Sequence, residues 1–86
     1  MPYINKNDRF RFLELVQDMR LADIKTAGEL NYLLTQLTHS FLSQHDRSYQ
    51  NYNDALGALE GCKLELYRQS ISGYEDMKIE LNGDVP

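Results

Sequence analysis

The stretch NYNDALGALEGCKLELYRQ (residues 51–69) contains no proline and places Tyr52, Leu56, Leu59 and Leu66 at spacings of three, four and seven. That recurrence lays them along one face of an α-helix. Leu64 and Tyr67 fall on one shoulder of this face, and Ala55, Ala58 and Cys62 on the other. Asp54, Gly61, Glu65 and Arg68 fall opposite and are expected to face water. The helix is predicted to run from Tyr49 to about Ile71. At 100° per residue, Lys63 lies within about 20° of Tyr52 and among the apolar positions, which points it toward the core side. A buried ammonium must be paired, must reach solvent along its four-carbon stem, or must have altered chemistry. Glu75 and Asp76 are candidate partners, as is Glu60 one turn back. If the stem packs and the charge is paired, Lys63→Ala should cost about 1–3 kcal/mol.

The flanking sequence gives three further helices. The first begins after Asn5 or Asn7 and carries Phe12, Leu15, Val16, Met19 and Ala22 on one stripe, ending near Ala22 or Ile24. Phe10, Leu13 and Leu21 fall off that stripe and suggest a second contact surface. The second opens with Thr26-Ala27-Gly28-Glu29, a capping-box pattern in which threonine accepts from the backbone and glutamate reaches back. Ala27, Leu30, Leu34, Leu37 and Phe41 follow at 3-4-3-4 spacing, with Leu33 beside them, a narrow seam suited to antiparallel packing in a bundle. It is predicted to end at Ser43, with a short polar loop before Ser48, the cap of the long third helix. Ser72-Gly73-Tyr74-Glu75 repeats the capping-box pattern, so a break is predicted near Gly73. A short fourth helix then passes through Tyr74, Met77 and Leu81 and stops at Asn82-Gly83. The expected fold is all-α: one domain over residues 1–86, a small bundle of three main helices plus a short C-terminal helix.

Composition narrows the functions. A chain of 86 residues with 42% hydrophobic and 26% charged side chains is that of a folded domain, at a size where self-association commonly supplies extra buried surface. The net charge of −4 is uneven: residues 1–43 hold five basic and five acidic side chains, and residues 44–86 hold four and eight. No basic block is present, which speaks against direct nucleic-acid binding. Neither a signal-peptide pattern nor a membrane-span pattern occurs, and the single Cys62 leaves no internal disulfide, so a cytoplasmic location is expected.

Nothing in the sequence assembles an active site. His39, His45, Asp46 and Cys62 are the softer ligand candidates, and none has the i,i+4 spacing of a helical metal pair. Cys62 sits among small residues, as a packed hydrophobe does. No catalytic residue, cofactor site or metal site is assigned. The small residues Ala55, Ala58 and Cys62, with Gly57 and Gly61 nearer the polar side, suit close approach of another helix or a second subunit. Of the six tyrosines, Tyr32 lies off the seam of its helix and is a candidate surface contact.

Four blocks, MPYI (1–4), LNYLLTQL (30–37), YNDALGALEGCKLELYRQ (52–69) and YEDMKIELNGDV (74–85), together resemble a family of short proteins of unknown function from bacteria and their phages. Its pattern has an MPYI opening, an LNY block, a GALE-x-x-KLE-x-YR block and a closing YED-x-KI-x-x-NGDV. The resemblance implies an all-helical domain and brings no activity, cofactor or catalytic residue. Glu60, Lys63, Glu65, Tyr67 and Arg68 match the central block, and Tyr74, Glu75, Asp76, Lys78 and residues 82–84 the closing one. Gln69 stands where the pattern has a second arginine, and Gly73 where it often has proline.

The expected function is therefore a non-enzymatic protein-interaction or homodimerising module. Its candidate surface or charge network comprises Lys63, Arg68, Tyr74, Glu75 and Asp76, with Tyr32 as a further contact. An alternative is an acidic accessory protein for a nucleic-acid-handling enzyme, which requires Asp54, Glu60, Glu65, Glu75, Asp76 and Glu80 to converge on one face. An enzyme with Lys63 or Cys62 in a pocket is the remaining alternative.

Overall fold

The computed structural model describes residues 3–85, and the described residues form helices and connecting segments with no strand. The fold is all-α, as the sequence periodicity predicts. In chain order the elements are α1 (Lys6–Arg9), a 3-10 turn (Phe10–Phe12), α2 (Leu13–Leu21), α3 (Ala27–Ser43), α4 (Tyr49–Leu66), a π-helical turn (Tyr67–Ile71) and α5 (Ser72–Asn82). Contacts divide the chain into two units, Tyr3–Ala55 and a second holding the described residues 56–85, with the boundary inside α4.

In the first unit, helix starts follow the predicted chemistry. Asn5 caps α1 by accepting from the Asn7 amide at 2.9 Å. Thr26 caps α3, its Oγ1 accepting from the Glu29 amide at 3.1 Å, while the Glu29 carboxylate accepts from the Lys25 amide at 3.0 Å. One orphan amide of the helix, that of Glu29, is thereby satisfied, and its carboxylate reaches back past the cap to the Lys25 amide. Ser48 Oγ accepts from the Asn51 amide at 3.1 Å and starts α4, and α3 ends at Ser43 as read from the sequence. Beyond that end, the His45 ring contacts Phe41, with centroids 4.4 Å apart, and its Nδ1 lies 2.7 Å from the Phe41 carbonyl oxygen.

The first predicted helix is not continuous. The 3-10 turn at Phe10–Phe12 winds at three residues per turn and so shifts the phase of the following α2 relative to α1. This explains why Phe10 and Leu13 do not fit one stripe. On α2, Val16 is half-buried while Leu13, Leu15, Met19 and Leu21 are exposed.

The second unit corrects the expected break at Gly73. A capping serine has extended backbone angles, whereas Ser72 lies at φ −59°, ψ −44°, inside the helical region. Its amide donates to the Tyr67 carbonyl, an i to i+5 bond, so the winding loosens by one residue and continues. Gly73 is an ordinary helical residue, and α5 runs on to Asn82. There the predicted stop holds: Gly83 takes φ +83°, a conformation that disfavours L side chains, and its amide donates to the Ile79 carbonyl at 2.7 Å.

The expected bundle core is absent from the described residues. Element contacts join chain neighbours, namely α1 and α2 with the 3-10 turn and α5 with the π turn, apart from one marginal pair. Among the described residues only Ala55 is buried. Among the described residues, every Leu, Ile, Val, Phe, Met and Tyr other than the half-buried Val16 and Leu42 is exposed. On α4 the expected polarity is reversed: Gly61 and Glu65 are half-buried, and the leucines at 56, 59 and 66 are open to solvent.

Because the Thr26 hydroxyl is the side-chain cap of α3, Thr26→Ala should lower the unfolding free energy by about 1 kcal/mol, and Thr26→Ser should restore most of it. Urea titrations of the two variants beside the wild type, followed by far-ultraviolet circular dichroism, measure the difference.

Candidate functional site

The candidate residues Lys63, Arg68, Tyr74, Glu75 and Asp76 all belong to the second unit, while Tyr32 belongs to the first, on α3. Each is positioned by the helical segment that carries it.

Lys63 is not sheltered. Its side chain is 74% exposed, and its Nζ lies 3.5 Å from Glu60 Oε1 one turn back, so of the three candidate acids the structure selects Glu60. An exposed pair at i,i+3 contributes little, because water screens the charges and two long side chains lose freedom. The core-side placement of Lys63 is corrected by the same fact that exposes Leu56, Leu59 and Leu66: no apolar cover lies over that face in the described chain.

Arg68 pairs with Glu65, also one turn back, through both its Nε and an Nη. The Glu65 side chain is only 17% exposed, so this pair is better shielded than Lys63–Glu60. Here an acid on the supposed water face is held down, because an arginine one turn along accommodates its charge in two hydrogen bonds.

The closing block contributes the contact that joins two elements. The Tyr67 hydroxyl, on the π turn, donates to Glu75 Oε2 on α5 at 2.9 Å, across eight positions. In a regular helix eight positions turn through about 800°, which would set the two residues roughly 80° apart. The π turn removes about one residue's rotation and returns them to within about 20° of each other, so Tyr67 and Glu75 share a face. This contact also sets the titration of Tyr67. The hydrogen bond to Glu75, then that carboxylate's negative charge, slight desolvation and the charge of Asp76 hold its phenol above the usual value. Tyr74 lies beside Lys78, whose Nζ is 5.6 Å from the ring centroid, within cation–π range.

Of the charge network predicted between the last two helices, the described contacts include two pairs one turn apart and one phenol–carboxylate bond. Sequence reading missed that bond, because periodicity assumes a constant turn and gives no sign of the extra residue.

In the first unit, Tyr32 is exposed and lines an open depression of about 510 Å3 with Ala22, Ile24, Gly28 and Leu33, beside Asp23, Thr26 and Glu29. The lining is mainly apolar, and it lies where the chain turns from α2 into α3. No group of three or more His, Cys, Asp or Glu suited to a metal ion occurs among the described residues. No helix of the described residues is long and apolar enough to cross a membrane. Cys62 is exposed on α4.

A helical chain with these exposed faces belongs to a family defined by sequence alone: the model for a domain of unknown function, DUF6899, matches residues 1–85, and the chain is a member of that family. Comparison with curated proteins and with solved structures gives no match.

Two measurements check this geometry. In a spectrophotometric titration the Tyr67 phenol should ionise above the usual tyrosine value; Tyr67→Phe should remove that high-pH step and Glu75→Gln should lower it. Since the raised value favours the protonated phenol in the folded chain, the contribution of Tyr67 to stability is complete below about pH 10, the unfolded tyrosine value, and is lost as pH rises through the folded one. Separately, Lys63→Ala should change the unfolding free energy by no more than about 0.5 kcal/mol, in place of the larger loss that a buried pair entails. Thermal melts at matched protein concentration read that difference.

Proposed function

We propose that the protein is a non-enzymatic interaction module that works by self-association, its bundle core being assembled between chains. The observation that carries this reading is the exposure of nearly all large apolar side chains among the described residues, of which Ala55 alone is buried. Obligate homodimers bury about 2000–5000 Å2 or more in total, and their interfaces resemble a domain core cut in two. Within each unit, exposed Leu, Ile, Phe and Tyr side chains supply surface of that apolar kind.

The reading assigns no catalytic, cofactor or metal role to any residue. It treats Lys63–Glu60 as a surface pair of α4, Arg68–Glu65 as a shielded pair where α4 meets the π turn, and the Tyr67–Glu75 bond as the fastener of α5. The acidic-accessory alternative has less support. Glu60, Glu65 and Glu75, three of the carboxylates it needs, are each engaged by a neighbour, and Asp54 accepts from Gln50 Nε2 at 2.7 Å.

Sedimentation equilibrium at micromolar concentration should give a mass of at least twice the 10.0 kDa chain, together with a cooperative, concentration-dependent thermal transition. A helical species of single-chain mass with a concentration-independent transition would overturn the proposal.

A further inference from the structure

We infer that α3 is the self-recognition element and that two copies of it pair antiparallel about a two-fold axis near Thr35 and Gln36. This rests on the self-association proposed above and assigns it a surface, an orientation and a register.

Three observations carry it. The first is where α3 is covered. Its half-buried residues are Thr38 and Leu42, whereas Leu30, Leu33, Leu34, Leu37 and Phe41 are 48, 42, 37, 52 and 36% exposed. At 100° per residue, Thr38 and Leu42 centre about 80–100° from the middle of the leucine stripe, so the shielding of this helix falls to one side of its apolar seam. The seam itself is uncovered.

The second is charge. Glu29 is the only Asp, Glu, Lys or Arg in Ala27–Ser43, and its carboxylate is occupied at the helix start by the Lys25 amide. The positions flanking the seam are Asn31, Leu33, Thr38 and Ser40. A second copy brings no like-charge repulsion to these flanks, where most coiled-coil pairs place charges that choose a partner. Uncharged flanks suit a helix that meets itself.

The third is register. Reading Ala27, Leu34 and Phe41 as one set and Leu30, Leu37 and Gln44 as the alternating set, an antiparallel pair aligns residues whose numbers add to 71. Leu34 then faces Leu37 of the second copy, Leu30 faces Phe41, and Ala27 faces Gln44. The apolar layers are self-complementary and the polar layer falls at each end. In the parallel arrangement the two Glu29 side chains and the two helix dipoles would lie side by side; the antiparallel one separates the acids and opposes the dipoles. A symmetric contact of this kind is isologous and closes at two chains.

The test uses single cysteines in a Cys62→Ser background, since Cys62 is exposed and would react. Leu34→Cys lies about 5 Å along the axis from its symmetry mate, and Ala27→Cys about 25 Å from its own. A short bis-maleimide should therefore link Leu34→Cys chains into covalent pairs and leave Ala27→Cys chains single. Leu37→Glu should weaken association at least tenfold by sedimentation while retaining the helical circular dichroism signal. Equal linking at both positions would mean parallel helices and would overturn the inference. Linking at neither position, with the wild type still sedimenting as a pair, would overturn it and leave self-association standing on another face. A wild type of single-chain mass would overturn both.

Discussion

An apolar stripe on a helix must meet another apolar surface or remain wetted, and this constraint governs the chain. Each buried leucine is worth about 1.5–3 kcal/mol relative to one left exposed, and helices of 10–20 residues draw most of their stability from such burial. Here α3 and α4 are well begun, yet neither unit covers its own seams. Local chemistry therefore specifies the helices, and the energy that would hold them resides in surfaces open to a second molecule. Folding and association are expected to be one process, as in obligate homodimers whose chains have no stable solitary state.

The division of labour among polar residues follows from this. Caps at Asn5, Thr26 and Ser48 fix where helices start. Pairs one turn apart, Lys63 with Glu60 on α4 and Arg68 of the π turn with Glu65 of α4, follow the helical repeat. Tyr67 and Glu75 are the exception, since their bond spans the π turn and depends on it. None of these groups is drawn together as nucleophile, base or ligand set, and the reading of the chain as an interaction module uses them only as scaffolding.

What the sequence could disclose was set by how local the cause is. The start of α3 at Thr26, its end at Ser43 and the stop at Gly83 rest on hydrogen bonds spanning a few residues, and all were legible. The 3-10 turn at Phe10–Phe12 and the π turn at Tyr67–Ile71 were not, because they are changes in winding that leave no residue signature. The placement of Lys63 failed for another reason. Periodicity groups the leucines of α4 on one side but does not say which side is covered: Ala55, Gly61 and Glu65 are the shielded positions, so a lysine sharing a face with Leu56, Leu59 and Leu66 was read as buried when all four are open. The resemblance of the motif blocks identified the right kind of family, one whose members are grouped without a known role, and the motif residues Tyr67 and Glu75 proved to be partners.

The loosened winding between Tyr67 and Ile71 gives the chain an asymmetric tolerance to changes in length. It holds one residue more than regular coiling needs, so losing a residue there would heal the helix rather than interrupt it. The repaired rod would keep Tyr74, Met77 and Leu81 facing the same way relative to α4, because the residue lost is the one whose rotation the π turn already absorbs, whereas a loss within α5 itself would turn everything beyond it by a quarter-turn or so.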